Sequence, residues 1–286
     1  MNKLVFALLF ALLFWEDIYA QVKAEYVKES NVAYRKPTSD KYMDSTCLLD
    51  IIYPSNEKKG FSTLIWFHGG SLKGGSRHKG YQELLDQGFA VVTVDYRLSP
   101  KATVVQCLED AAAATAWVVE NISRYGGNPK QLFLGGHSAG GYLVSMLGLD
   151  KRWLAPYHID PDTTFAALIP YSGQSITHFT RRAELDMPRT QPLIDDMSPL
   201  YHVRKDCPPI MILSGDRELE MLGRYEENAY FWRMFQVVGH PNAKIYEFDS
   251  FSHGAMQKPG HLFTIKYIHD FEKKLKDSKR QKEVSE

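Results

Sequence analysis

A serine flanked by glycines lies near the middle of the chain, in the sequence Gly136-His-Ser138-Ala-Gly140. An apolar segment that predicts a strand precedes this G-x-S-x-G pattern, and a segment that predicts a helix follows it. So sharp a turn from strand to helix needs glycine at both flanking positions and strains the backbone of the serine. The pattern therefore predicts Ser138 as a nucleophile, with the N–H of Ala139 facing a developing negative charge.

A glycine-rich loop, His68-Gly-Gly-Ser71, ends an earlier apolar segment of the chain. Glycines let a backbone approach a substrate carbonyl and direct N–H groups at its oxygen. We expect Gly69 and Gly70 to complete an oxyanion hole with Ala139, and His68 to shape the loop. The two glycine pairs here could instead form plain turns, whereas a phosphate-binding loop would need the spacing G-x-x-x-x-G-K-[ST], which is absent.

A general base is expected among the ten histidines of the chain. Only His253 follows a predicted strand directly within a loop of small residues, Phe251-Ser-His-Gly254. Where a nucleophilic serine follows a strand in a G-x-S-x-G turn, the order along the chain is serine, acid, histidine, so the base is expected after the last strand. The placement predicts His253 as the base that accepts the proton of the serine.

Three carboxylates compete for the role of the acid, because Asp216, Glu218 and Glu220 all follow the apolar segment that ends at Gly215. The chain has to leave the strand and curl before a carboxylate can reach an imidazole across the sheet edge. This favours the third position after the glycine, and glutamate adds a methylene of reach. We therefore expect Glu218 to be the acid, with Asp216 as the alternative.

Segments of two kinds alternate along the chain and would position these residues. Two short strand-like segments lie at 25–32 and 47–53, and further strands are predicted at 62–67, 89–95, 131–135, 165–170, 209–213 and 244–248. Helical spacing predicts helices at 81–85, 109–121, 142–147, 225–238 and 261–275. Such alternation predicts an α/β fold, a mostly parallel central sheet with helices on both faces, and reactive groups at the carboxyl ends of the strands. The polar segment 174–207 interrupts the alternation and predicts a small cap or lid insertion.

Composition and the first residues narrow the function classes. Lys plus Arg and Asp plus Glu both number 34, so the chain has no excess of basic residues for binding nucleic acid. The 44% of hydrophobic residues exclude general disorder.

After Lys3, residues 4–15 form an apolar run that is shorter than the roughly 20 residues that span a bilayer. The run predicts a signal peptide at 1–20, a catalytic domain at 21–286, export to the periplasm or the extracellular space, and no integral membrane segment after processing.

The three cysteines are Cys47, Cys107 and Cys207. They contain no C-x-x-C pair, which excludes a zinc ribbon and a thioredoxin-type motif. An exported chain could form one disulfide, but a fold of this size does not need one, so buried free thiols are favoured.

Taken together, six motifs in this order and spacing resemble the α/β-hydrolase superfamily, in its small carboxylesterase branch. The motifs are HGGS, VDYRL at 94–98, YGGNP, GHSAGG, the carboxylates after Ser214-Gly215, and the SHG loop. This branch includes hormone-sensitive-lipase-like esterases and secreted esterases of acylated carbohydrates, and the resemblance covers nearly all of residues 45–275. In the family the acid is usually the third residue after the glycine and is commonly Asp. Glu218 matches the position but not the type, and Ser71 replaces the fourth residue of an HGGG loop.

The resemblance implies a serine hydrolase that cleaves esters of small acyl groups through an acyl-enzyme, without a metal or organic cofactor. The expected partner is a small-molecule ester, with acylated sugars as one class, and not nucleic acid. Two alternatives stay open: an amidase or peptidase that uses the same triad, and a non-catalytic binding module on a hydrolase scaffold. The sequence does not indicate an oligomeric state.

Overall fold

The computed structural model describes residues 25–55, 59–188 and 190–285, and the side chains to residue 282. The predicted signal segment, 1–20, lies outside the described residues. Across the described ranges, no helix combines the length and the apolar character that crossing a membrane would require.

A single sheet of eight strands forms the centre of the described chain. The strands are β1 Tyr26–Ala33, β2 Leu48–Pro54, β3 Phe61–Phe67, β4 Ala90–Val94, β5 Gly127–His137, β6 Phe165–Tyr171, β7 Ile210–Gly215 and β8 Ala243–Phe248. Their order across the sheet is β1-β2-β4-β3-β5-β6-β7-β8. β1 pairs with β2, and β2 with β4, in antiparallel fashion, and all other neighbouring pairs are parallel. The predicted mostly parallel sheet is confirmed.

Burial explains why the inner strands could be recognised from their composition. Every residue of β3 and β4 is buried, so these strands are apolar on both faces, as expected of parallel strands covered by helices. Alternate residues of β3 enter two different cores. Ile65 and Phe67 join the core on one face, whereas Leu64 and Trp66 join the core on the other.

The helices cover both faces of the sheet, as predicted. They are α1 Lys41–Thr46, α2 Val104–Asn121, α3 Ala139–Leu149, α4 Pro161–Thr164, α5 Phe179–Glu184, α6 Arg224–Val237 and α7 Gln257–Ser285. Leu108 of α2 and Leu143 of α3 lie in one core, and Ile268 of α7 lies in the other. Helices therefore pack on both faces of the sheet.

Two predicted helices differ from the observed ones for local reasons. α2 begins at Val104 and not at residue 109, because Thr103 and Gln106 form a capping box that starts the helix earlier. The predicted helix 81–85 is only a 3₁₀ turn, Gln82–Leu84, and the backbone has positive φ at Gly80 before it and at Gly88 after it.

The segment 174–207 contains α5 and a 3₁₀ helix, Pro199–His202. The hydroxyl of Thr180 in α5 donates a hydrogen bond to the carbonyl of Ser71, with 2.6 Å between the oxygens. The hydroxyl of Tyr142 in α3 donates to the carbonyl of Met197 at 2.8 Å. The segment therefore packs on the loop after β3 and on the helix after β5.

The three cysteines are free and buried, which confirms the favoured interpretation of the cysteine count. Burial raises the pKa of Cys47 to about 12 and that of Cys107 to about 12. Burial raises the pKa of Cys207 to about 12 as well, so none of the three thiols is activated as a nucleophile and Ser138 remains the candidate.

Candidate active site

Ser138 lies in a sharp turn between the end of β5 and the start of α3. Its backbone has φ 55° and ψ −114°, outside the regions that non-glycine residues ordinarily occupy. Its N–H donates to the carbonyl of Tyr171 on β6 at 2.8 Å, and its own carbonyl accepts from the N–H of Tyr142 at 3.0 Å. Backbone strain of this kind costs on the order of 1–3 kcal/mol and concentrates at functional sites. The serine is therefore held in the strained turn that its motif predicts.

The flanking glycines are required by the close approach of α3 to β3. A Cβ on Gly140 would lie 2.0 Å from the carbonyl oxygen of Phe67. A Cβ on Gly136 would lie 2.7 Å from the same oxygen. Neither backbone can retreat without separating the helix from the sheet, so a larger residue at either position would displace the serine.

The glycine-rich loop after β3 lies against Ser138. A Cβ built on Gly69 would be 3.3 Å from the Cβ of Ser138. Gly70 has φ 119°, and a Cβ there would lie 2.2 Å from the carbonyl oxygen of Gly74. The loop can fold back on itself beside the serine only because a glycine occupies position 70.

His68 shapes this loop, as the sequence predicts. Its ring stacks on Tyr96 with centroids 4.4 Å apart and planes 11° apart. Its Nδ1 lies 2.7 Å from the carbonyl oxygen of Gly69. A carbonyl oxygen can only accept, so Nδ1 carries the hydrogen and donates to it, and burial lowers the pKa of His68, which favours the neutral ring.

A pocket of about 390 Å³ brings the predicted nucleophile, base and glycine loop together. Its lining includes Ser138, His253, Gly69 and Gly70. Ala139 follows the serine as the first residue of α3. Five of the residues that the sequence singles out thus surround or adjoin one depression at the carboxyl ends of the strands.

The carboxylate beside the base is that of Glu220. Its Oε2 lies 2.7 Å from Nδ1 of His253. The side chain of Glu218 is exposed, and Asp216 accepts from two backbone N–H groups elsewhere. The prediction of Glu218 as the partner of the imidazole is wrong, and so is the alternative, Asp216.

The reason is one turn of helix-like backbone after β7. The N–H groups of Leu219 and Glu220 both donate to the carbonyl of Asp216, at 3.0 and 2.8 Å. This turn brings residue 220 back toward the strand end and leaves residue 218 facing outward. The Asp216 carboxylate stabilises the turn by accepting from the N–H groups of Glu218 at 2.8 Å and Ser250 at 2.7 Å.

Glu220 is buried and held as a carboxylate by several donors. Oε1 accepts from the hydroxyl of Ser172 at 2.6 Å and from the N–H of Gly215 at 3.0 Å. Burial by itself would raise the pKa of Glu220, but the hydrogen bonds from His253, Ser172 and Gly215 outweigh it and lower the pKa to about 2. The residue therefore stays ionised far below neutral pH.

Ser172 is a site residue that the sequence analysis missed. Its Oγ lies 3.0 Å from Nδ1 of His253 and donates to Glu220, so one hydroxyl contacts both the imidazole and the carboxylate. Its backbone has φ 46°, and its N–H donates to the carbonyl of Leu213 at 2.6 Å. The available signal was its position, because Ser172 directly follows the carboxyl end of a buried strand.

His137 ties the nucleophile turn to the loop of the base. Its Nε2 lies 2.7 Å from the carbonyl oxygen of His253. Burial, and then the proximity of His253, lower the pKa of His137 to about 3. The ring is therefore neutral at ordinary pH, and Nε2 carries the proton that it donates to the carbonyl.

A family model described as BD-FAE matches residues 49–221. The chain belongs to the BD-FAE family. This is an α/β-hydrolase-type esterase family, which confirms the superfamily that the motifs resemble. The matched part of the BD-FAE domain contains Ser138, the Gly69-Gly70 loop and Glu220, whereas His253 lies beyond it.

Curated relatives match parts of the chain. The chain is 33% identical over 162 residues to the probable carboxylic ester hydrolase LipM of Mycobacterium tuberculosis, and the match covers 50% of this chain and 37% of LipM. It is 34% identical over 150 residues to gut esterase 1 of Caenorhabditis briggsae, and this match covers 46% of this chain and 26% of that protein. The chain thus spans well under half the length of these two relatives.

Solved structures resemble nearly the whole chain. Esterase B from Lactobacillus rhamnosis matches with a TM-score of 0.71 at 17% identity, covering 97% of this chain and 98% of that one. A truncated carbohydrate esterase from gut microbiota matches with a TM-score of 0.69 at 17% identity, covering 88% and 98%. These likenesses show that the chain has the α/β-hydrolase fold.

Proposed function

We propose that this protein hydrolyses carboxylic esters, with Ser138 as the nucleophile, His253 as the base and Glu220 as the acid. One observation carries the proposal: a serine in a strained turn lines the same pocket as an imidazole whose Nδ1 lies 2.7 Å from a buried carboxylate. Relatives that are named as esterases support the reaction class.

The first half of the reaction acylates the enzyme. Nε2 of His253 takes the hydroxyl proton while Oγ of Ser138 attacks the ester carbonyl carbon. Glu220 fixes the tautomer by accepting from Nδ1 and stabilises the imidazolium. When the tetrahedral intermediate collapses, the bond to the alcohol oxygen breaks and Nε2 returns the proton to that oxygen. The alcohol leaves, and the acyl group stays on Ser138.

The second half reverses these roles with water. Nε2 of His253 takes a proton from a water molecule, whose oxygen attacks the acyl carbon. The bond between the acyl carbon and Oγ of Ser138 then breaks, and the imidazolium returns the proton to the serine. The carboxylic acid leaves, and no metal or organic cofactor is needed at any step.

We infer that the oxyanion of both intermediates is stabilised by the N–H groups of Gly69, Gly70 and Ala139. The contact of Gly69 with the serine supports this role for the loop. Ala139 is the first residue of α3, and the first N–H groups of a helix have no acceptor within it. Such donors are worth about 2.7–4 kcal/mol each in comparable hydrolases.

The proposal is tested by combining turnover with covalent labelling. The purified chain should hydrolyse p-nitrophenyl acetate and p-nitrophenyl butyrate. A p-nitrophenyl alkylphosphonate should abolish turnover at one equivalent, and mass spectrometry should place the added mass on the peptide that contains Ser138. Ester turnover with the label on another residue would refute the assignment of the nucleophile.

We propose acylated carbohydrates as one substrate class, with the segment 174–207 acting as a cap over the alcohol portion. The segment contacts the glycine loop through Thr180, and one solved neighbour is described as a carbohydrate esterase. Release of acetate from peracetylated xylose, compared with release from phenyl acetate, tests this class. Lack of any preference for the sugar ester would count against it.

The two alternatives predict other results with matched substrates. An amidase or peptidase would cleave p-nitroacetanilide with a higher kcat/KM than p-nitrophenyl acetate. A non-catalytic binding module would turn over neither compound and would not react with the phosphonate. The proposed esterase prefers the ester and is labelled.

We also propose export, with residues 1–20 removed as a signal peptide and residues 21–286 remaining as the catalytic domain. The apolar run that follows Lys3 supports this proposal. Expression of the full sequence followed by N-terminal sequencing should give a chain that begins at Gln21 in the periplasmic or extracellular fraction. Recovery of the uncut chain from the cytoplasm would contradict it.

A further inference from the structure

A second cavity, of about 610 Å³, adjoins the catalytic pocket. Met221, the residue after Glu220, lines both spaces, so the two cavities are neighbours that share this side chain as a wall. Its lining includes the aromatic ring of Phe179 and two arginines, Arg182 and Arg224. A cavity of this size can hold the part of a small substrate that does not react.

Arg224 is buried in the lining of this cavity with an incomplete set of partners. It is only 4% exposed. Its Nη1 donates to the carbonyl of Ser172 at 2.6 Å, whereas its Nε has no hydrogen-bond acceptor among the described residues. The nearest carboxylate oxygen is that of Glu227, 3.9 Å from Nε. A buried guanidinium with an unsatisfied N–H is costly, and an added acceptor would offset that cost.

Two buried guanidinium groups line this cavity. Arg182, which is 5% exposed, lines it together with Arg224 and the carboxylate of Glu227, and Glu220 also acts on Arg224 electrostatically. Arg224 is also the first residue of α6, whose cap residue, Gly223, offers no side-chain acceptor. The positive end of the helix dipole therefore lies at the same place.

The position of Arg224 links this cavity to the reacting groups. The carbonyl of Ser172 accepts from Arg224, and the hydroxyl of the same serine contacts both His253 and Glu220. A group bound at Arg224 would consequently lie one residue away from the proposed triad. A substrate with only a few atoms between its ester and its second polar group could occupy both sites.

We propose that this cavity binds a carboxylate of the substrate, so that the preferred esters carry a free carboxylate on the acyl or the alcohol portion. A carboxylate presents two oxygens in the spacing that a guanidinium fork matches, which makes it the natural ligand for buried arginines. The inference rests on the proposed esterase function and specifies its substrate class.

Two matched substrate pairs test the inference and distinguish the two portions of the ester. p-Nitrophenyl hemisuccinate against p-nitrophenyl pentanoate reports a carboxylate on the acyl portion. 4-Acetoxybenzoate against its methyl ester reports one on the alcohol portion. In one of the pairs, kcat/KM for the anionic ester should be higher by about tenfold or more, which corresponds to about 1.4 kcal/mol.

Variants then assign the preference to the two arginines. Arg224→Gln and Arg182→Gln should each reduce the ratio of anionic to neutral kcat/KM toward one, and the ratio cancels any general loss of activity. Arg217→Gln is the control, because it removes a charge that pairs with Glu247 outside the cavity and should leave the ratio unchanged. If Arg224→Gln fails to fold, Arg224→Lys keeps the charge without the fork and should still lower the ratio.

The outcomes separate the inference from the function on which it rests. Turnover of the neutral esters without a preference for the anion in either pair would overturn the inference and leave the esterase intact. A preference that survives both arginine variants would also overturn it. Failure to hydrolyse any of the four esters would instead refute the proposed function.

Discussion

Oε2 of Glu220 lies 2.7 Å from Nδ1 of His253, although Glu220 is the fifth residue after the glycine that ends β7. One helix-like turn, closed on the carbonyl of Asp216, provides this reach. The same turn places Met221 between the catalytic pocket and the neighbouring cavity. The path of the chain after β7 thus positions the acid and shapes the space for the substrate.

Glu220→Gln should lower kcat by about 10⁴, the loss seen when a triad acid becomes an amide, because the amide no longer fixes the tautomer or stabilises the imidazolium. Glu218→Gln, two residues earlier with an exposed side chain, should stay within about twofold of wild type. Steady-state kinetics with p-nitrophenyl acetate measures both. A larger loss in Glu218→Gln than in Glu220→Gln would return the role to residue 218.

Ser172→Ala should lower kcat by about 10- to 100-fold, because it removes a hydrogen bond to a charged carboxylate that is worth about 1.5–3 kcal/mol. Ser214→Ala is the matched control, since the hydroxyl of Ser214 is buried on β7 and has no hydrogen-bond partner among the described residues. The control should keep its kcat. Equal losses in both variants would show that Ser172 matters only through packing.

Stability should depend on the ionisation of Glu220. Its pKa in the folded protein is about 2, below the ordinary 4.5, so its ionised form stabilises the fold fully above about pH 4.5. This contribution declines as the pH falls toward 2. The difference in free energy of unfolding between wild type and Glu220→Gln should therefore shrink from pH 5 to pH 2. Denaturant titrations measure it, with Glu218→Gln as the charge-matched reference, and a constant difference would contradict the lowered pKa.

Gly140→Ala should destabilise the protein by about 3 kcal/mol, the upper end for overpacking, because the new Cβ would meet the Phe67 carbonyl at 2.0 Å. For a chain of this size the melting temperature would fall by about 6–12 °C. Gly254→Ala is the control, since a Cβ there meets no atom within 4 Å. Thermal melts that shift equally for both variants would contradict the close approach of α3 to β3.

Local patterns predicted those features that depend on residue type alone. The strands β3 and β4 could be recognised because burial on both faces demands continuous apolar sequence. The elbow around Ser138 could be recognised because only glycine fits beside Phe67. The start of α2 at Val104 could also have been predicted from the sequence, since Thr103 and Gln106 have the spacing of a capping box.

The sequence could not assign the acid, because the number of residues in the turn after β7 decides which carboxylate faces His253. Asp216, Glu218 and Glu220 are chemically equivalent candidates, and two residues of helix-like backbone reverse the direction of a side chain. Hydrogen bonds between distant segments decide the turn, such as the one from the N–H of Ser250 to Asp216. Ser172 escaped notice for the same reason, because its partners lie 48 and 81 residues further along the chain.

The most direct test of the account is the kcat of Ser138→Ala with p-nitrophenyl acetate. Ser145→Ala serves as the control, because Ser145 lies on the same helix and its hydroxyl donates to the carbonyl of Gly141. We expect a loss of about 10⁶ in kcat for Ser138→Ala and little change for the control. Ester hydrolysis by Ser138→Ala at a rate close to that of wild type would contradict it.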